Sequence, residues 1–266
     1  MAHVRTVRDV EPCGCIVRLI KQSSTEQSVS PQKRVRRDGV VSREKIIRAA
    51  IEEFALKGFD GARVDEVARR SGVNKTLLYH HIGNKDQLFT AALEATYRTI
   101  RSRQHEFLIP DLPPDEGLRR LVQLLMAIWV EYPEFSRLLA SENFHGGRHV
   151  KKSKLIRNMY NPLVSTLNQL INRGVQRGLF RKGIDPIDLY ISISALSAYY
   201  TSHHHTLDAI FRTDLMNARR LRQREHHIID MVLRYVCRRP DEGTARSSNA
   251  IDKSRARRES VSRKKK

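Results

Sequence analysis

The stretch Val64-Asp65-Glu66-Val67-Ala68-Arg69-Arg70-Ser71-Gly72-Val73-Asn74-Lys75-Thr76-Leu77-Leu78-Tyr79-His80-His81-Ile82 decides how the rest of the sequence is read. Two short helices that cross steeply need a small side chain where they touch, which Ala68 supplies, and a turn residue free to take positive φ, which Gly72 supplies. Val67, Val73 and Leu78 then share a core. Asn74 suits the N-cap of the second helix, on which Leu78 and Ile82 lie one turn apart on the inner face. At about 100° per residue Thr76 and His80 point away from Leu78, with Leu77 and Tyr79 on the flanks and Lys75 in the first turn. Such a face suits a major groove. Thr76 and Leu77 are expected to touch base edges or thymine methyls, His80 a base or phosphate, and Lys75 and Tyr79 phosphates. Downstream, Asn84-Lys85-Asp86-Gln87 reads as a capping-box variant that opens the next helix and sets free amides and Lys85 beside a phosphate. Arg63 is expected to do similar work at the start of the first hairpin helix.

Outward from the hairpin, helical periods recur at Ile46, Ile47, Ala50 and Phe54, at Leu118, Leu121, Val122, Leu125 and Ile128, and at Ile228, Met231, Val232 and Tyr235. Alternating strand patterns are essentially missing. Breaks at Gly58, Gly72, Gly83-Asn84, Pro110 to Pro114, Pro133, Gly146-Gly147, Pro162 and Gly183 to Pro186 divide the chain into about nine or ten helices of an all-α fold. Residues 1–41, which end in Lys33-Arg34-Val35-Arg36-Arg37, are expected to be a disordered basic arm, and 240–266 a disordered basic tail. Between them lie a helix-turn-helix domain, 42–88, and a helical body, 89–239.

The chain has 266 residues and a formal net charge of +20, spread along its whole length. That sign favours a polyanionic partner but carries no sequence specificity by itself. Three cysteines, Cys13, Cys15 and Cys237, form no disulfide framework, which suits a reducing cytoplasm, and Cys13-Gly14-Cys15 is no more than half a metal site. The apolar run Leu189 to Tyr200 falls short of the ~20 residues a bilayer requires, and the N-terminus has no apolar export segment. Consecutive His203, His204 and His205 fan out around a helix and cannot close on one metal. No nucleophile elbow or phosphate-cradling glycine loop is present. Neither a cofactor nor an enzymatic reaction is expected.

The segment Ile46 to Leu88, with Ala49-Ala50, Phe54, Gly58-Phe59, Val67-Ala68, Gly72-Val73, Leu78-Tyr79-His80-His81 and Lys85, resembles the DNA-binding domain of the TetR (tetracycline-repressor) family. It departs from the family pattern at Ala62, Thr76, Leu77 and Ile82, so no operator sequence is carried over. The stretch from Pro133 onward, with Glu142-Asn143, Gly146-Gly147, Asp185-Pro186 and Asp188-Leu189-Tyr190, is similar to one C-terminal domain type of that family. The resemblance implies a homodimer joined through the last two long helices, roughly Pro186 to Phe211 and Leu215 to Arg238. The first of these carries the small residues Ser194, Ala195, Ser197 and Ala198, which allow close packing. Two-fold symmetry would set the recognition helices about 34–36 Å apart on a palindromic operator. The resemblance also implies a small-molecule effector that shifts the linker helix around Leu88 to Tyr97. Trp129, Phe135, Phe144, His145, Tyr160, Tyr199 and His204 are the candidates to line its cavity, although each also suits an ordinary core. The expected function is a ligand-responsive transcriptional repressor. A transcriptional activator of the same fold is the nearest rival, ahead of a nucleoid-binding protein or a helical enzyme.

Overall fold

The computed structural model describes the backbone of residues 31–107 and 112–238, and the side chains of 42–104 and 112–238. The chain divides into two units, Met1–Val40 and Val41–Lys266. In the first unit the described backbone is helical from Pro31, which corrects the expectation of disorder for that part of the arm. Residues 1–30 and the expected tail lie outside the described residues. The helix-turn-helix segment and the helical body both fall within the second unit.

The described residues form twelve helices, in chain order α1 Pro31–Gly61, α2 Val64–Ser71, α3 Lys75–Ile82, α4 Lys85–Phe107, α5 Pro114–Glu131, α6 Pro133–Phe144, α7 Arg148–Lys152, α8 Lys154–Asn158, α9 Asn161–Gln176, α10 Pro186–Ser202, α11 His204–Phe211 and α12 Ala218–Val236. The only β pairing among the described residues is an isolated bridge between Phe180 and Cys237. The count exceeds the expected nine or ten because short α7 and α8 meet at Ser153, and because the penultimate long helix breaks at His203 into α10 and α11.

Local chemistry sets most of the boundaries. Pro114, Pro133 and Pro186 sit in first turns, where a missing N–H costs nothing. Asp185 accepts from the backbone N–H groups of Ile187 and Asp188 at 2.7 and 2.9 Å, and Asn217 from that of Arg220 at 2.9 Å. These side-chain oxygens satisfy amides that the first helical turn leaves without partners.

Two apolar clusters hold the unit together. One joins α1, α2 and α3 through Ile46, Ala50, Phe54, Phe59, Val67 and Leu78 to Leu88, Phe89, Ala92 and Leu93 of α4, and continues into Ile128, Phe135, Leu138 and Ile156. Phe89 meets Phe54 and Phe59 edge-on, at centroid separations of 4.8 and 5.2 Å. Rings in that arrangement gain about 0.5–1.5 kcal/mol beyond their burial. The second cluster packs α5, α9, α10 and α12 around Leu118, Leu125, Leu167, Ile193, Ile228 and Val232. Helix α4 therefore belongs at its start to the hairpin's core and at its end to the body.

Candidate nucleic-acid interface and cavity

The α2–α3 hairpin folds as its residue types require. Val67, Ala68 and Leu78 are buried, and Gly72 takes φ 68° and ψ 20°, the left-handed conformation that ends α2. Asn74 caps α3 by accepting from the Leu77 N–H at 2.7 Å. Thr76, Leu77, Tyr79 and His80 are all exposed, on the side opposite Leu78. Lys75 is exposed too, and its ammonium lies 2.6 Å from Asp65 of α2. The hydrogen bond it donates to Asp65 raises the Lys75 pKa above its ordinary value. Arg63 is exposed at the N-cap of α2, and its backbone N–H donates to buried Glu53 at 3.3 Å.

Asn84 and Gln87 form the reciprocal capping pair: the Gln87 N–H donates to Asn84 Oδ1 at 3.0 Å and the Asn84 N–H to Gln87 Oε1 at 2.8 Å. Lys85 is turned back toward α1, donating to the Asp60 carbonyl at 3.1 Å with its ammonium 5.0 Å from the Phe59 ring centre. The backing of the hairpin is ionic as well as apolar. Buried Glu53 on α1 faces Arg70 at 3.4 Å and Lys57 at 3.4 Å. Arg69 and Arg70 both bond Glu66, and the Arg69 hydrogen bond foremost holds the Glu66 carboxyl down at about 2.

A second set of contacts ties the start of α4 to the body. His149 is buried between Glu142, 2.6 Å from Nδ1, and Asp86, 3.2 Å from Nε2. The N–H groups of His149 and Val150 donate to Glu142 Oε1 at 2.7 and 2.9 Å. His145 belongs to the same junction, its ring spanning the Ser141 carbonyl at 2.8 Å and Asp60 at 3.1 Å.

Inside the body a cavity of about 520 Å³ lies among α4, α5, α6 and α10, with Tyr160 on its wall. Of the candidates read from sequence, Trp129, Phe135 and Tyr160 line it. Trp129 stacks on Phe135 at 5.3 Å. Four candidates do not line it. Phe144 is 84% exposed at the end of α6, Tyr199 is 57% exposed and stacked on His203, and His204 bonds the Thr201 carbonyl at the start of α11. His145, the fourth, sits at the junction with α1. For Tyr199 the reason is helical phase, since the cavity face of α10 runs through Ser194, Ala195 and Ala198.

The lining also holds residues that sequence reasoning missed: Arg101 and Gln104 of α4, Asn143 of α6, and Tyr190 and Ser194 of α10. Arg101 lies over the Tyr160 ring, 3.6 Å from its centre, and its Nη1 donates to Gln104 Oε1. Its Nε, the Trp129 Nε1 and the Ser194 Oγ are buried without a hydrogen-bond partner. Leaving such groups unpaired costs about 1–3 kcal/mol each. Burial pushes the Tyr160 phenol well above its ordinary pKa, so it stays a neutral hydroxyl. One signal for Arg101 was available: it follows Tyr97 by four residues, beside the apolar stripe Leu93, Tyr97 and Ile100 of α4, where a guanidinium has no ordinary structural place.

Among the described residues no group of three or more His, Cys, Asp or Glu is placed to hold a metal ion, and no helix is long and apolar enough to cross a membrane. Cys13 and Cys15 lie outside the described residues.

A helix-turn-helix hairpin carried on an all-helical body with an internal cavity defines a class of DNA-binding regulators. Residues 46–92 match the bacterial regulatory proteins of the tetR family, and residues 114–232 the tetracyclin repressor-like C-terminal domain. The HTH-type transcriptional repressor NicS of Pseudomonas putida is 31% identical over 193 residues, covering 73% of this chain and 91% of that protein. Among solved structures, a tetR-family regulatory protein from Rhodococcus RHA1 superposes with a TM-score of 0.58 at 18% identity, over 74% of this chain and 98% of that one. The regulator FadR of Bacillus subtilis, solved in complex with stearoyl-CoA, gives a TM-score of 0.54 at 15% identity, over 72% of this chain and 98% of that one. The chain belongs to the TetR family of transcriptional regulators.

Proposed function

We propose that this regulator is a repressor that binds a palindromic operator as a homodimer and leaves it when a small molecule occupies the body cavity. The single observation that carries the reading is the exposure of Thr76, Leu77, Tyr79 and His80 together on the outer side of α3, while Leu78 anchors the helix from within. Thr76 and Leu77 then read base edges and His80 a base or phosphate. Lys75 and Tyr79 take phosphates, with Arg63 and Lys85 as flanking contacts and Asn74 presenting the helix start. Because Lys75 starts out paired with Asp65, a phosphate must displace that carboxylate, an exchange of one exposed ion pair for another.

Dimerisation is supported by apolar side chains left exposed on the last helices, among them Ile187 and Ile191 of α10 and Met231 and Tyr235 of α12. A two-fold pairing would cover them with their own symmetry copies. Repression, not activation, is the reading that agrees with the naming of the NicS relative. We assign no catalytic step and no cofactor, and we place the protein in the cytoplasm with its DNA.

The test is footprinting of the purified full chain on the DNA flanking its own coding region, paired with transcription from that promoter. Two protected half-sites related by a dyad, with transcription lowered by the protein, are expected. Uniform protection of any duplex would support a nucleoid-binding role, and raised transcription would support an activator.

A further inference from the structure

We infer that the body cavity is built for an organic anion, a carboxylate carried on an aromatic frame, which docks on Arg101 of α4. The inference rests on the reading of this cavity as the effector site and deepens it to a ligand class.

The charge balance of the lining points this way. Among the described residues, Arg101 is the one ionised group on the cavity wall, and no Asp or Glu joins it there. No carboxylate lies within ion-pair distance of it among the described residues. A cation desolvated by protein without a counterion attracts an anion more strongly than the same group in water. The geometry of the guanidinium is equally specific. Nη1 is engaged by Gln104, itself only 2% exposed, whereas Nε has no partner and Nη2 has only a 3.5 Å contact with Tyr190. The Nε–Nη2 edge, buried and without a carboxylate acceptor, is one that grips a carboxylate through two parallel hydrogen bonds once a side-chain adjustment admits it.

The other unpaired groups extend the pattern. Trp129 Nε1 can only donate, and Ser194 Oγ can donate, so three helices each present a donor that lacks an acceptor. The phenols of Tyr160 and Tyr190 add further hydroxyls. Between these groups the wall is apolar and aromatic, with Ile100, Ile128, Phe135, Leu139 and the Trp129 ring. An aromatic frame suits those apolar and aromatic walls, and the carboxylate answers the donors.

The position of Arg101 also says how occupancy reaches the DNA. It lies twelve residues after Phe89 on the same helix, about 18 Å along its axis, and Phe89 is packed in the hairpin's core. An anion held by Arg101, Trp129 and Ser194 would fix α4 against α5 and α10, and the hairpin would move with it.

Trp129 is the chain's single tryptophan, so selectively excited tryptophan emission reports on this cavity. The experiment titrates the full-length protein with benzoate, 1-naphthoate and 4-phenylbutyrate, and with the corresponding carboxamides and amines, reading Trp129 emission and the melting temperature. The carboxylates should bind at least tenfold more tightly than their amides and amines. Arg101→Gln should remove that preference while changing amide binding less than threefold, and Arg101→Lys should keep part of it. Carboxamides or amines that bind as well as the carboxylates overturn the anion class and leave the cavity as an effector site. Silence from every class overturns the cavity reading itself. The wild-type comparison decides the matter even if Arg101→Gln fails to fold, which its far-UV circular dichroism would reveal.

Discussion

On the proposed reading, Lys75 and Thr76, neighbours in the chain, do different work on DNA, and the difference can be measured. If Lys75 holds a phosphate and reads no base, Lys75→Ala should weaken every duplex alike and lower the slope of log K against log salt by about 1. Thr76→Ala should instead relax the choice at one base pair, costing about 1–3 kcal/mol there with the salt slope unchanged. Titrations against an operator and its single-base variants at several salt concentrations separate the two. If Lys75→Ala altered the preferred sequence, the phosphate role would be wrong. Leu78 provides the folding control. It is fully buried, so Leu78→Ala should cost about 2–5 kcal/mol of stability and remove operator binding through the fold, visible as a lowered urea midpoint.

At the scale of elements, the hairpin is held by charge as well as by its core. Glu66 ties Arg69 and Arg70 along α2, and its carboxyl is depressed from 4.5 to about 2 by the Arg69 hydrogen bond first of all. A depressed carboxyl stabilises the fold above its unfolded pKa and loses that contribution as pH falls through the folded value. The Glu66 contribution should therefore be constant above about pH 4.5 and vanish between there and about pH 2. Glu66→Gln should flatten that part of the stability profile, as measured by denaturant melts at successive pH values. The junction between hairpin and body is held by buried contacts. His149→Ala would leave buried Glu142 short of a partner and strip a ring from Phe59 and Phe89, which it meets at 5.0 and 4.8 Å. An unsatisfied buried acceptor costs about 1–3 kcal/mol before the lost packing is added, and calorimetry should find at least that much.

The elements also differ in how far their residues disclosed them. The hairpin was legible because each role needs a particular residue type: a small Ala68 at the crossing, a Gly72 that turns left-handed, and an Asn74 that caps. The Asn84–Gln87 capping pair was legible for the same reason. The start of α1 was not, since Pro31 to Val41 carries no sustained apolar period and reads as a tail, yet its backbone is helical. The cavity was half legible. Aromatic side chains suggested it, but whether Phe135 points inward or Phe144 outward depends on where α6 ends, which composition does not reveal. Arg101 was missed because its only mark, a place beside the apolar stripe of α4, is easily passed over in a chain with many arginines.

For the whole molecule, one continuous cluster joins the hairpin through α4 to the body, while the last helices keep apolar residues exposed. The double substitution Met231→Lys and Tyr235→Lys should leave the fold intact and convert a dimer to monomers in sedimentation. Operator affinity should fall by about tenfold or more, because one hairpin alone makes half the contacts. A dimer that persisted would place the interface elsewhere on the surface.

The central claim is that α3, held from within by Leu78, reads duplex DNA in pairs. Its most direct measurement is hydroxyl-radical footprinting of the full chain on the DNA flanking its own coding region, in excess random competitor. Two protected patches should appear with dyad symmetry, their centres about 10–10.5 base pairs or a multiple apart, as two recognition helices one turn apart require. Protection that moved freely along the duplex, or vanished into the competitor at moderate salt, would contradict it.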